Sequence, residues 1–197
     1  FDYTAMIQLA VELLESEDDP VADMIRGHVH GDLKYLVVDE YQDVNPLQER
    51  LIRALTTHGA NICVVGDDDQ TIYQWRGSDV GNILTFADRY PNVEKVFLSD
   101  NFRSSRGVVD LGRTVAESLP SGARLPKDMA AAGHQNWTRG DLLALTFDTP
   151  EAEASWLCDR MEELRGVPFT DAPDADSRGL TWSDFAVLYR SVARDAD

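Results

Sequence analysis

The sequence is short of positive charge. Only 18 Lys and Arg stand against 35 Asp and Glu in 197 residues, a formal net charge of −17. Phosphate contacts need Lys and Arg, so this balance argues against a protein that simply coats DNA. Cysteine is scarce too: Cys63 and Cys158 are the two present, and they give neither zinc spacing nor a disulfide framework. Both read as buried, reduced thiols of a cytoplasmic protein. Four histidines form no metal-ligand pattern, and His28 and His30 alternate as exposed turn residues do. No apolar run approaches the about 20 residues that span a bilayer, and no signal peptide is visible. The chain opens Phe1-Asp2-Tyr3 without Met, which leads us to expect further chain before it.

What is present is enough for a packed core. Hydrophobic residues make up 43% and aromatics 9% of the chain. Helical patterns alternate with short apolar runs. Tyr3, Met6, Ile7, Ala10, Leu13 and Leu14 fall on one helical face, and residues 15–20 end that helix in an acidic turn. Residues 35–38 read as a buried strand with Asp39 at its carboxyl end. Asn45, Pro46 and Gln48 predict a capped helix whose stripe is Leu47, Leu51, Ile52 and Leu55. A second strand is expected at 62–65 and others at 93–98, 142–147 and 185–189. Ser78, then Ser104 or Ser105, then Thr149-Pro150 mark further helix starts, the middle one bearing Val108, Leu111 and Val115. Residues 120–140 read as a long connector and 166–179 as a polar loop. Strands alternating with helices define an α/β class with a parallel sheet and flanking helices. Ligands of such sheets bind at the carboxyl ends of strands, where Asp39 and Gly66 sit.

Two stretches carry chemistry. Asp39-Glu40 places two carboxylates directly after the apolar run Val37-Val38. One carboxylate can hold a hydrated magnesium ion while the other polarises an attacking water. An isolated Asp-Glu pair is more often solvated surface. The strand before it and Gln42-Asp43 after it weigh against that bland reading. The second stretch is Gly66-Asp67-Asp68-Asp69-Gln70, followed by Thr71, Ile72, Tyr73, Gln74, Trp75, Arg76 and Gly77. Its aspartates suit a cation or simply a turn. Tyr73 and Trp75 suit a core or, interleaved with Arg76, the stacking of single-stranded bases.

Here a resemblance becomes specific. Asp39-Glu40-Tyr41-Gln42-Asp43 resembles motif II of the UvrD/Rep-type superfamily 1 helicases. Residues 66–77 resemble their motif III, Asn101-Phe102-Arg103-Ser104-Ser105 resembles motif IV, and residues 186–191 are similar to a strand of the second motor domain. Order and spacing both match along essentially the whole chain. The resemblance implies partial RecA-like P-loop folds from two incomplete motor domains. Residues 1–98 would be the rear of the first, with the tail of an inserted helical subdomain at about 1–30, and 99–197 the front of the second. It implies an ATP- and Mg²⁺-dependent 3′→5′ DNA helicase of repair or replication. Its partners would be single-stranded DNA and single/double-strand junctions, with no membrane involved. Asp39 would hold the magnesium through its water shell, and Glu40 would act as general base. Gln70 would sense the γ-phosphate. Phe102, where the family usually has Tyr, would stack on adenine. Arg103, otherwise an ordinary surface residue near a helix start, would act as an arginine finger. Tyr73, Trp75 and Arg76 would bind the translocating strand.

No phosphate-binding loop of the form G-x-x-x-x-G-K-[ST] occurs in these residues. The late family motifs are absent as well. The chain is therefore expected to be an internal slice that does not turn over ATP by itself. Two alternatives stand beside it: a slice of a RecB/AddA-type helicase-nuclease, and a non-catalytic helicase-like module that binds partners through its acidic surface. A module has no physical need for Asp39, Glu40, Gln70 and Arg103 together.

Overall fold

The structure, a computed structural model, describes residues 2–72, 77–119 and 124–189. The chain separates into two compact units. The first comprises residues 1–98 and 114–128, the second 99–113 and 129–197. The short segment 114–128 thus clusters with the first unit although it follows the start of the second.

In the first unit, α1 (Tyr3–Glu15) is capped by Asp2, which accepts the Ala5 amide at 2.8 Å. It packs on α2 (Pro20–Asp32) and α3 (Pro46–Thr56), burying Val11 and Leu14. Helix α2 is a departure from the expected turn. Asp19 caps it and Pro20 begins it, and the residues that obscured it are Gly27, Gly31 and two histidines of weak helix propensity. His28 is exposed, as expected, but on this helix. His30 is half-buried and meets the Ala54 carbonyl oxygen at 3.0 Å. Helix α3 has the expected capping box: Asn45 and Gln48 exchange hydrogen bonds at 2.9 Å each.

Strands β1 (Tyr35–Val38) and β2 (Asn61–Val64) pair in parallel, with Val38 opposite Val64. Alternation splits their side chains between two faces. Leu36, Val38, Ile62 and Val64 pack on a core of Tyr41, Val44 and Ile52, joined by Ile83 and Phe86. The opposite face stays open: Tyr35 is 75% and Val37 68% exposed. The strand at 35–38 is therefore half-buried rather than buried. Cys63 shares the open face and is exposed, which corrects the expectation of a buried thiol. Two short helices, α4 (Gly81–Leu84) and α5 (Phe86–Arg89), complete the core from the loop side. Ser78 does not cap them; Val80 occupies the position before α4.

In the second unit, β3 (Asp100–Asn101) and β4 (Ala130–Ala131) form a two-residue parallel pair. Helix α6 (Arg106–Glu117) starts in this unit and buries Val109 and Ala116. Its expected stripe of Val108, Leu111 and Val115 is instead exposed. Helix α7 (Pro150–Leu164) is capped by Thr149, and Trp156 leans on Phe147 with ring centroids 5.8 Å apart. Cys158 lies on its solvent side, again exposed rather than buried. The polar loop at 166–179 holds an antiparallel pair, β5 (Pro168–Phe169) and β6 (Arg178–Gly179). Arg178 clamps that hairpin between Asp171 and Asp184, with contacts of 2.6–2.8 Å.

The strands expected at 93–98, 142–147 and 185–189 do not form among the described residues. A strand exists only where a neighbour completes its hydrogen-bond ladder, and Val96, Phe97 and Leu98 remain exposed. The α/β class with small parallel pairs stands. No helix among the described residues is long and apolar enough to cross a membrane.

Candidate functional site

Because β1 and β2 run in parallel, the loops that leave their carboxyl ends emerge at the same edge. Asp39-Glu40 leave one strand and Gly66-Asp67 the other. The backbone joins them first: the Val65 amide donates to the Val38 oxygen at 2.8 Å and the Tyr41 amide to the Val65 oxygen at 2.9 Å. Asp39 and Glu40 are exposed. The Asp39 Oδ1 accepts the Glu40 amide at 2.9 Å. Glu40 takes a left-handed backbone, φ 50° and ψ 44°, to turn the chain sharply into the 3-10 turn Tyr41–Asp43. A non-glycine residue in that region is held there by its surroundings at some conformational cost.

Gln42 does the holding. It is 1% exposed, and its amide has one partner in each loop. Nε2 donates to Glu40 Oε2 at 2.7 Å, and Oε1 accepts the Asp67 amide at 3.0 Å. The approach is close enough that a Cβ at Gly66 would lie 2.6 Å from Gln42 Oε1 and 3.1 Å from the Tyr41 nitrogen. Glycine at 66 is thus a steric requirement of the contact.

Beneath the turn lies a buried polar network. The Tyr41 hydroxyl donates to Glu49 Oε2, and Tyr90 donates to Glu49 Oε1 at 3.3 Å. Arg89 stands 3.5 Å from Glu49. It also donates to the Tyr41 hydroxyl at 3.2 Å and to Asn82 Oδ1 at 2.9 Å. Burial, then the Glu49 carboxylate, push the Tyr41 hydroxyl far above its usual range. The same causes push Tyr90 up to about 12. Both phenols therefore act here as neutral donors.

The acidic loop after β2 is folded on itself. Asp67 caps the 3-10 turn Asp68–Gln70, accepting from the Asp69 amide at 3.2 Å. Gln70 is exposed, and its Nε2 donates to Asp67 Oδ2 at 2.7 Å. Arg124 and Lys127 supply the loop's counter-charges. Among the described residues no group of three or more His, Cys, Asp and Glu is arranged to hold a metal ion. Burial would push the Asp67 carboxyl up, but hydrogen bonds from Lys127 and Gln70 outweigh it and hold it below its ordinary 3.8. A carboxylate held low stabilises the fold above its unfolded value, and that contribution disappears as pH falls toward the lowered one. Between about pH 5 and pH 3, the melting temperature of the wild-type protein should fall more steeply than that of Asp67→Asn. Parallel curves would show that Asp67 contributes nothing to the acid limb.

The remaining candidates lie elsewhere. Phe102 and Arg103 belong to the second unit, on the turn after β3, and both are exposed. Asn101 Oδ1 shapes that turn by accepting the Arg103 and Ser104 amides at 3.0 and 2.8 Å. Tyr73, Trp75 and Arg76 fall outside the described residues. The structure thus brings together Asp39, Glu40 and the loop of Gln70 within one unit. Sequence reasoning missed Gln42 as their tie, although it stood inside the motif. It also missed Arg124 and Lys127, whose signal was two cations close together in a connector with no visible need of charge.

Residues 1–91 match the family described as UvrD/REP helicase N-terminal domain. The likeness then continues through nearly all of the chain. The ATP-dependent DNA helicase PcrA of Leuconostoc citreum is 33% identical over 197 residues, covering 98% of this chain and 23% of that protein. PcrA of Bacillus subtilis (strain 168) is likewise 33% identical, with the same coverage. PcrA of Staphylococcus epidermidis is 34% identical over 195 residues, 98% of this chain and 24% of that protein. The chain spans about a quarter of the length of the curated relatives it matches.

Proposed function

We propose that these residues belong to the motor of a UvrD/Rep-type DNA helicase, with 1–98 from the first RecA-like domain and 99–197 from the second. The observation that carries it is the convergence of Glu40 and the Gln70 loop at one edge of a parallel strand pair, tied by Gln42. In this reading Asp39 holds magnesium through its water shell; its exposed carboxylate at a strand end fits a hydrated cation shared with nucleotide phosphates. Such a metal, when bound, would neutralise charge on those phosphates. Glu40, fixed by Gln42, accepts the proton of the hydrolytic water. Gln70 reads the γ-phosphate, Phe102 stacks on adenine and Arg103 offsets γ-phosphate charge. The protein works in the cytoplasm and moves 3′→5′ along single-stranded DNA in repair or replication. Lacking a phosphate-binding loop, these 197 residues alone do not turn over ATP.

The test uses the full-length protein. It should hydrolyse ATP faster with single-stranded DNA and displace a strand from a tailed duplex. Trp75→Ala should weaken single-strand affinity by about 1–3 kcal/mol, the usual worth of a base-stacking aromatic, measured by fluorescence anisotropy. Unchanged affinity would remove Trp75 from the DNA site, and ATP turnover that ignores DNA would sink the motor reading.

A further inference from the structure

All three carboxylates of the acidic loop are occupied, and one side chain touches every one of them. Lys127 donates to Asp67 Oδ1 and to Asp68 Oδ1, the latter at 2.6 Å, and lies 3.1 Å from Asp69 Oδ2. Two of the ammonium's three N–H donors go to Asp67 and Asp68, and Asp69 lies within ion-pair distance. The Lys127 side chain is 17% exposed and that of Asp68 only 2%. Arg124 forks onto Asp69 at 3.0 and 2.9 Å, and the Leu125 amide donates to Asp68 Oδ2 at 2.7 Å. Asp67 is the hinge of the arrangement: one oxygen faces Lys127 and the other carries the Gln70 amide.

We infer that Lys127 is a positioning residue for Gln70, acting through Asp67 from 60 residues further along the chain. The inference rests on the proposed role of Gln70 at the nucleotide. Without the ammonium, three neighbouring carboxylates repel one another and Asp68 is left buried beside them. The loop then spreads, and the Gln70 amide loses its fixed seat on Asp67. Arg124 does not substitute, because its fork is engaged, among the described residues, by Asp69.

The experiment measures DNA-stimulated ATP hydrolysis by the full-length protein. Lys127→Met should lower kcat about tenfold, the scale of a modest misplacement of a reacting group, with KM for ATP unchanged. Lys127→Arg, which keeps the charge, should recover most of the loss. Gln70→Ala should lower kcat by itself, and adding Lys127→Met to it should cost nothing more, since the lysine acts through the glutamine. Should Lys127→Met fail to fold, Asp67→Asn weakens the same contact with an isostere and should show the same non-additivity. The inference is overturned if the lysine variant keeps full kcat, or loses as much in the Gln70→Ala background as in the wild type. It also falls if Gln70→Ala leaves kcat untouched. DNA dependence of wild-type turnover separates the two failures: DNA-stimulated hydrolysis upholds the motor reading whatever Lys127 does, and turnover that ignores DNA removes that reading itself.

Discussion

Glu40→Gln in the full-length protein should bind ATP as well as the wild type and turn it over about 10²–10⁴-fold more slowly, the usual worth of a general base. The substitution conserves volume and keeps an oxygen for the Gln42 amide, which donates to Glu40 Oε2 at 2.7 Å. The left-handed turn at position 40 should therefore survive. Asp39 is untouched, so nucleotide with its metal should still dock. Only the capacity to accept a proton is lost, because an amide oxygen is too weak a base. A fluorescent nucleotide analogue reports binding, and single-turnover hydrolysis reports chemistry. Near-normal turnover in the variant would show that Glu40 is not the base.

Arg89→Met should destabilise the first unit by about 3 kcal/mol, the cost of stripping the partner from a buried charge. Glu49 is 6% exposed, and its carboxylate depends on Arg89, Tyr41 and Tyr90. Methionine fills much of the same volume but leaves Glu49, among the described residues, with the phenol donors of Tyr41 and Tyr90. It also removes the donors that Asn82 and the Tyr41 hydroxyl receive from Arg89. Glu49→Gln removes the charge itself and should cost about 1 kcal/mol, near the net value of an ordinary hydrogen bond. Urea unfolding should show the midpoint of Arg89→Met well below that of Glu49→Gln, with similar slopes. Equal midpoints would mean that the network is held by packing rather than by charge. The effect bears on the site because Tyr41 follows Glu40 directly and anchors its turn from below.

Local signals are legible in the sequence. The capping box at Asn45 and Gln48 is a short-range hydrogen-bond exchange, and it formed as expected. The strand before Asp39 and the glycine turn at Gly66 were visible for the same reason. What remained hidden depends on distant partners. Residues 93–98 have strand propensity, but propensity supplies no neighbour to pair with. The stripe Val108, Leu111 and Val115 is periodic, yet periodicity does not state what covers it. Helix α2 is obscured because Gly27, Gly31 and two histidines dilute its pattern, while the decisive Asp19 cap and Pro20 are equally the residues of a turn. Lys127 and its aspartates are separated by 60 residues, a distance over which sequence reading has no rule.

Gln42 has one more consequence. Its side chain is a strut of fixed length between the loop after β1 and the loop after β2. Neither loop can be lengthened or shortened alone without breaking a contact at one end of it. The two loops therefore share a single gauge, and an insertion in one is tolerated only with a matching change in the other. A displacement of the Asp67 amide is likewise transmitted to the Glu40 carboxylate through one side chain.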